Sequence, residues 1–592
     1  MAAAWIVLVL AGNVLDLGEA NSAYPAFPLR TKGRFIVDAN GSRVRLKCVN
    51  WYGAHLPQMV ANGLDRVGPG QIAKTISESG FNCVRLPFSL DGVIGNFSRV
   101  PDPKVSLAAC PELQDRSPLE VFDATVDQLT QHGLMVILNN HVSTSMWCCD
   151  TSDGEGLWYT KKYPEASWLN ALSLMADRYK ENPLVMGFDL RNELRPAGNV
   201  WPQWGGNESA TDWPRAATKA ATTILEKNEN MLIIISGLYF GIFLCQVPTY
   251  PVHSEVPFLK GRVVYTAHEY NWFNFHLVAR AGIELYVGLI VAAFPACWLL
   301  LCLIRYLGRR GVLQRCSGCP CRRSSNAAAE GSGDWCSESC RSCTTEGSNP
   351  CVEFSVAALL ATLCAVGLKI IPGFIQRCDI TGVYIGVFCA AFTPVCAAVS
   401  IFLWTRAAFL ALAHREETRA SAVLELISLP QAREAGDGNG IGTGSQQLDG
   451  CALPQHAQRC RTKRCVLAMI LVLMACTLLA VWIEFGKYEA FAKELDFRWG
   501  FLQSPSGEAV PVWLGEFGTD VQNLWWKHVL RYIADNEVDF AYWSINGEKY
   551  NGIGESFGLF NADFATVQQP WKLEQLQAAM KDATDPAAII TE

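Results

Sequence analysis

The chain has 592 residues, half of them hydrophobic, and a formal net charge of −7. That length exceeds what a single hydrophobic core organises, so more than one structural unit is expected. The negative balance, with no basic groove interleaved with aromatics, excludes nucleic acid from the expected partners.

At the amino terminus, Ala2 to Ala11 is an apolar run too short to span a bilayer. Small residues follow at Gly18-Glu19-Ala20 and Asn21-Ser22-Ala23, so residues 1–23 read as a signal peptide. From 24 to 275, β-branched and apolar runs bounded by turn residues predict six strands: Val44 to Asn50, Asn82 to Pro87, Met135 to Asn140, Val185 to Leu190, Met231 to Ser236 and Val263 to Ala267. Helical stretches lie between most of them, at Gly70 to Ser79, Pro118 to His132, Glu165 to Lys180 and Asp212 to Asn228. Two further strands, Val510 to Gly515 and Phe540 to Ile545, flank the helical stretch Val521 to Asn536 in the segment 488–592. Eight strands alternating with helices predict an α/β chain folded as a (β/α)8 TIM barrel, its first six strands in 24–275 and its last two in 488–592.

Residues 276–487 leave this pattern. Four apolar stretches, at about 283–304, 354–375, 380–403 and 466–485, are each long enough to cross a hydrocarbon core of about 30 Å. They predict a four-helix transmembrane insertion between barrel strands six and seven. Arg305, Arg309, Arg310, Arg315, Arg322 and Arg323 follow the first span, and Arg406, Arg415, Arg419, Arg459, Arg461, Lys463 and Arg464 surround the last loop. Positive residues mark the cytosolic side, so both large loops are expected in the cytosol and both barrel segments outside. The sequons at Asn40, Asn96 and Asn207 all fall in the barrel part, which suits that topology. In the first loop, Cys316-x2-Cys319 and Cys340-x2-Cys343 have zinc-site spacing, but the Ser, Gly and Arg around them favour a disordered loop with free or palmitoylated thiols. Six cysteines, Cys48, Cys83, Cys110, Cys148, Cys149 and Cys245, belong to the barrel, and spacing leaves their pairing open. Cys83, mid-strand, suits either a buried thiol or a structural bridge.

Barrel active sites form at the C-terminal ends of the strands. Here those ends carry Arg85, His141, Asn192 and Glu193, His268 and Tyr270, Glu516, and Trp543. Two of these groups are carboxyls at the ends of buried apolar runs, where an unpaired charge is tolerated only if it faces a solvated pocket. Together they suggest an acid/base pair. The order Arg, His, Asn-Glu, His-x-Tyr, Glu, Trp, with the run Trp513-Leu514-Gly515-Glu516-Phe517-Gly518, resembles the family 5 glycoside hydrolases, the cellulase and endoglucanase group. Asn192-Glu193-Leu194-Arg195 replaces the Asn-Glu-Pro of many members. With Trp147-Cys148-Cys149-Asp150-Thr151-Ser152-Asp153-Gly154 it is similar to a eukaryotic, plant-type branch.

The resemblance implies a retaining hydrolase with Glu193 as acid/base and Glu516 as nucleophile, and no metal or other cofactor. Arg85, His141, Asn192, His268, Tyr270 and Trp543 become substrate-binding positions. Retention needs Glu193 protonated while Glu516 is ionised. Arg85 and Tyr270 are expected to favour the Glu516 anion, and its charge to raise the pKa of Glu193. The implied substrate is a β-linked polysaccharide or oligosaccharide, cut as by an endo-acting β-1,4-glucanase. Membrane glycolipid hydrolysis and carbohydrate sensing are the alternatives. The expected setting is a multi-pass membrane protein, held in a lipid bilayer of the secretory pathway or plasma membrane, with its barrel extracellular or lumenal.

Overall fold

The computed structural model describes residues 24–206, 208–274, 482–504, 508–549 and 552–581. The predicted signal peptide, the first three predicted spans, both loops expected in the cytosol and all but the last four residues of the fourth predicted span lie outside them. Among the described residues, no helix is long and apolar enough to cross a membrane. Contacts divide the chain into two units, Met1–Asn274 with Tyr488–Glu592, and Phe275–Lys487.

The first unit opens with an antiparallel hairpin, β1 (Arg30–Lys32) and β2 (Phe35–Val37). Gly33, at φ +55°, supplies the left-handed turn between them. Eight parallel strands then close into a barrel: β3 (Lys47–Asn50), β4 (Cys83–Ser89), β5 (Met135–Val142), β6 (Val185–Asp189), β7 (Leu232–Ser236), β8 (Val263–Glu269), β9 (Val512–Phe517) and β10 (Asp539–Tyr542). Their spatial order follows the chain, and pairing of Phe540 with Lys47 completes the ring. The barrel expectation is met.

A side-chain period of two divides the interior into layers. Cys48, Cys83, Met135, Ile137, Leu232, Ile234, Val264, Trp513 and Ala541 form one buried apolar cluster, which Leu29 and Ile36 of the hairpin region join. Two residues beyond Cys83 stands Arg85, and two and four beyond Ile137 stand Asn139 and His141. The apolar layer thus gives way to a polar one toward the C-terminal ends. Cys48 and Cys83, opposite each other on β3 and β4, form a disulfide inside the apolar layer. That resolves Cys83 as a structural bridge.

The helices pack outside. Pro118–Gln131 begins with a reciprocal capping box between Ser117 and Glu120. Trp213–Leu225 buries Ala216, Ala217, Ala220, Ala221 and Ile224, a small-residue face that permits close approach to the sheet. Leu524–Asp535 buries Trp525, Trp526, Val529 and Ile533. Two eleven-residue helices escaped the sequence reading, along with the short helices Leu90–Ile94, Pro103–Ser106 and Val252–Glu255. Tyr488–Arg498 buries only Phe491, Leu495 and Arg498, too thin an apolar stripe to stand out beside the preceding run. Pro570–Met580 has its apolar residues similarly scattered. β8 and β9 run two residues further than expected, which brings His268 and Glu516 into the ladder itself.

Candidate active site

Glu516 owes its direction to a bulge. Ala267 pairs with Leu514 but His268 pairs with Glu516, so Gly515 is an extra residue in β9. Without it, alternation from the inward-facing Trp513 would turn Glu516 to the opposite face. A Cβ at Gly515 would lie 2.4 Å from Thr266 Oγ1 and 3.2 Å from His268 Nε2, so only glycine fits the bulge. This is the physical content of the Leu514-Gly515-Glu516 sequence.

Arg85 is fully buried and ties four strand ends together. Its Nη1 donates to Glu516 Oε1 at 2.6 Å and to Asn50 Oδ1 at 3.0 Å. Its Nε donates to Asp189 Oδ2 at 2.8 Å, and its Nη2 to Asn192 Oδ1 at 2.8 Å. Burial alone would lower its pKa, but the Asp189 and Glu516 carboxylates outweigh that and hold the guanidinium above its ordinary value. Asn192 is thereby oriented with its amide nitrogen toward His141 Nε2 at 3.3 Å, while His141 Nδ1 lies 2.8 Å from Asn139 Oδ1. The network assigns the His141 proton to Nδ1.

Tyr270 donates its hydroxyl to Glu516 Oε2 at 3.1 Å. His268 Nδ1 stands 2.9 Å from Glu193 Oε1 and 3.6 Å from Glu516 Oε2. One carboxylate oxygen from each glutamate and one His268 nitrogen all lie within 4.8 Å of one another. Seven of the eight anticipated residues therefore meet in one bonded network. Trp543, 8% exposed, completes the wall by stacking on Tyr52 at 4.9 Å and on His141 at 5.6 Å.

The two carboxyls experience different surroundings. Burial pushes Glu193 up to about 7, with Arg195 and Arg85 opposing. Desolvation, rather than the charge of Glu516, is the cause, which corrects the sequence expectation. Burial raises Glu516 as well, opposed by His268 and Arg85. Glu516, however, accepts hydrogen bonds at both oxygens, one from a permanent cation, and these favour its anion. Burial holds His268 down at about 4. Burial, reinforced by His55 and the Arg85 guanidinium, takes His141 well below its usual range. Both imidazoles are neutral at pH 7.

Glu193 has φ +42°, an uncommon conformation for a side chain of its size. Arg195 holds it there. Its Nη1 donates to the Glu193 carbonyl at 2.9 Å, Nη2 to Asp153 Oδ2 at 2.6 Å and Nε to the Asp150 carbonyl at 3.1 Å. The two departures noted in the sequence, Leu194-Arg195 and the 147–154 run, are thus two halves of one brace. Sequence reasoning missed Asn50, Asp189 and His55, the last buried with its ring 4.2 Å from His141. It also missed the placement of Cys148 and Cys149, a bonded pair whose sulfurs lie 3.6 and 3.5 Å from Asn192 Nδ2. The adjacent cysteines were visible; their contact with Asn192 was not.

Residues 37–282 match the family model described as cellulase, glycosyl hydrolase family 5. The first barrel segment is thus similar to glycosyl hydrolase family 5. A family 5 glycosyl hydrolase protein of Chamaecyparis obtusa is 36% identical over 275 residues, covering 44% of this chain and 46% of that protein. An endoglucanase of Paenibacillus polymyxa is 33% identical over 262 residues, covering 41% of this chain and 62% of that one. The matches therefore span roughly half the length of these relatives. A hyperthermophilic endocellulase of Pyrococcus horikoshii shares the barrel fold, with a TM-score of 0.50 and 16% identity over 93% of this chain and 98% of its own.

Proposed function

We propose that the chain hydrolyses β-glycosidic bonds with retention of configuration, acting as an endo-β-1,4-glucanase. The observation that carries this is the approach of Glu193 and Glu516 to within 4.8 Å. Retaining enzymes hold their carboxyls roughly 5 Å apart, whereas inverting enzymes leave about 6.5 Å or more for a water. Glu516 attacks the anomeric carbon as the Glu193 proton passes to the departing oxygen, and a glycosyl ester of Glu516 replaces the glycosidic bond. Glu193, now a carboxylate, takes a proton from a water whose oxygen attacks the same carbon. Glu516 leaves, and the acid is regenerated.

Asn192, oriented by Arg85, would bond the sugar 2-hydroxyl, with His141 and His268 serving neighbouring hydroxyls and Trp543 the sugar face. A polymeric substrate suits the loops after β5, β6 and β8, which carry Trp147, Trp201 and Trp272 at 44%, 39% and 54% exposure. Exposed indoles present apolar faces to pyranose rings. The likeness to the Paenibacillus endoglucanase favours glucan, and that to the Chamaecyparis protein favours the plant-type branch. The full chain should cut soluble β-1,4-glucan internally, and NMR should detect β-anomer product first. Initial release of α-anomer would overturn retention, and activity confined to glycolipid vesicles or mannan would overturn the substrate.

The brace on Glu193 yields a further expectation. Arg195→Met should lower kcat on glucan by roughly 10- to 100-fold, since displacing a reacting group by about 1 Å carries a cost of that size. KM should change far less. Steady-state kinetics check it, and an unchanged kcat would remove the positioning role.

We further propose a multi-pass membrane protein with the barrel on the extracytoplasmic side. Support comes from the four apolar stretches, the arginine bias beside them, and a barrel that carries a disulfide between Cys48 and Cys83. Asn40 and Asn96 are exposed and available to glycan transfer. Glycosidase digestion of the expressed protein should reveal sugar on Asn96 and none on a sequon engineered near Gly440. Sugar at the engineered site would overturn this topology.

A further inference from the structure

Glu269, the last residue of β8, is a fully buried carboxyl that none of the chemistry above uses. Three elements converge on it. Arg498 Nη1, from the end of helix Tyr488–Arg498, donates to Oε2 at 3.1 Å. Asn274 Nδ2 and, at 3.3 Å, Trp525 Nε1 donate to Oε1. Asn274 is the last residue of the first barrel segment, and Arg498 lies on the first helix of the second. The ion pair thus joins one residue before and one residue after the inserted unit, Phe275–Lys487, in the chain.

The loop enclosed by this cluster carries Tyr270. Asn274 Nδ2 also donates to the Tyr270 carbonyl at 2.9 Å, and Arg498 Nη2 donates to the Phe273 carbonyl and to Glu494. Trp272 stacks on the Tyr270 ring at 4.6 Å. Arg498 also binds through its backbone: its carbonyl accepts from Leu244 N at 2.9 Å, in the loop after β7. The bonds to the Tyr270 and Phe273 carbonyls fix backbone points at and three residues beyond the residue whose hydroxyl donates to Glu516.

We infer that Glu269, Arg498 and Asn274 form a positioning clasp that sets the Tyr270 hydroxyl against Glu516 and makes that contact depend on how the two ends of the inserted segment are held. This rests on the glycosidase reading above. None of the three touches substrate in this scheme; they act through Tyr270. Removing Arg498 would leave a buried carboxylate with only neutral donors, which relaxes by taking up a proton or by shifting the loop. Either response draws Tyr270 away from the nucleophile.

A double-variant cycle on the full chain tests the clasp. Tyr270→Phe and Arg498→Met should each lower kcat on soluble glucan, by roughly 10- to 100-fold, with KM changed less than about threefold. In the Tyr270→Phe background, Arg498→Met should cost no more than about a further twofold. Arg498→Lys should restore part of kcat in the wild-type background and none in the Tyr270→Phe background. Losses that multiply would overturn the inference, because a merely structural role is indifferent to the Tyr270 hydroxyl. Glu269→Gln, nearly isosteric and directing an amide at Arg498, must follow the same pattern and stands in if Arg498→Met does not fold. Wild-type turnover on glucan reads the proposed function separately, so failure of the clasp and failure of the glycosidase reading give different results.

Discussion

Glu516→Gln should leave a folded chain whose turnover on glucan falls by on the order of 10⁴-fold or more, the scale expected when one member of a concerted machine is lost. The substitution is nearly isosteric. Its amide oxygen can still accept from Arg85 Nη1, now 2.6 Å from Glu516 Oε1, and Tyr270 can turn its hydroxyl to accept from the amide nitrogen. What disappears is the anion that attacks the anomeric carbon, so the loss falls on kcat and thermal melting should move little. Comparing kcat with the melting midpoint separates lost chemistry from lost fold. A folded variant within tenfold of wild type would remove Glu516 as nucleophile.

Glu193→Gln should show a loss that depends on the leaving group. A sugar alkoxide cannot depart without a proton, so glucan cleavage should fall by roughly 10³-fold or more. An aryl glycoside with an acidic phenol leaves unaided, and its first step should be largely spared, with the glycosyl-enzyme accumulating as a burst. The pH dependence gives a second signature. Burial raises Glu193 from 4.5 to about 7, so at pH 6 it keeps its proton and can act as acid. As pH rises through 7 the acid form is depleted, and kcat/KM should fall toward tenfold per pH unit. In Glu193→Gln no such group titrates, and this alkaline limb should vanish. A limb that persists unchanged would belong to another group, and the assignment of Glu193 would fail.

The parts legible in the sequence were those encoded locally. Each barrel strand announced itself as a short apolar run, and polar residues stopping those runs, such as His141 and Glu193, marked the rim. Residues whose roles arise only when the strands assemble side by side were silent. Asn50, opposite Arg85 on the neighbouring strand, and Asp189, two strands further on, contact Arg85 through the lateral packing of the strands rather than through any spacing in the chain. Asp189 stood within the run that ends at Glu193 and drew no notice, because a carboxyl beside an arginine 104 positions away leaves no periodic trace. The direction of Glu516 was hidden likewise. It depends on a one-residue bulge that alternation cannot foresee, although the glycine that permits it was in plain view. Glu269 escaped because the helix that neutralises it lies beyond the whole inserted segment.

The pairing of β8 with β9 also bears on how the chain is made. Tyr270 and Glu516 touch across 246 residues of sequence, whereas the disulfide joining β3 and β4 spans 35. For a flexible connection, three doublings of loop length cost only about 2 kcal/mol, so the finished protein bears the interruption easily. Synthesis is the harder passage. When β8 is complete, six strands can pair and Glu193, Arg85 and Asp189 are already present, yet the edge of β8 waits for a partner until the inserted unit has been made. Glu193, the proposed proton donor, precedes that unit, and Glu516, the proposed nucleophile, follows it. Any chain that stalls or is cut within the insertion therefore carries half of the proposed catalytic pair, and on that proposal hydrolysis would report that the insertion was completed and its two ends brought together.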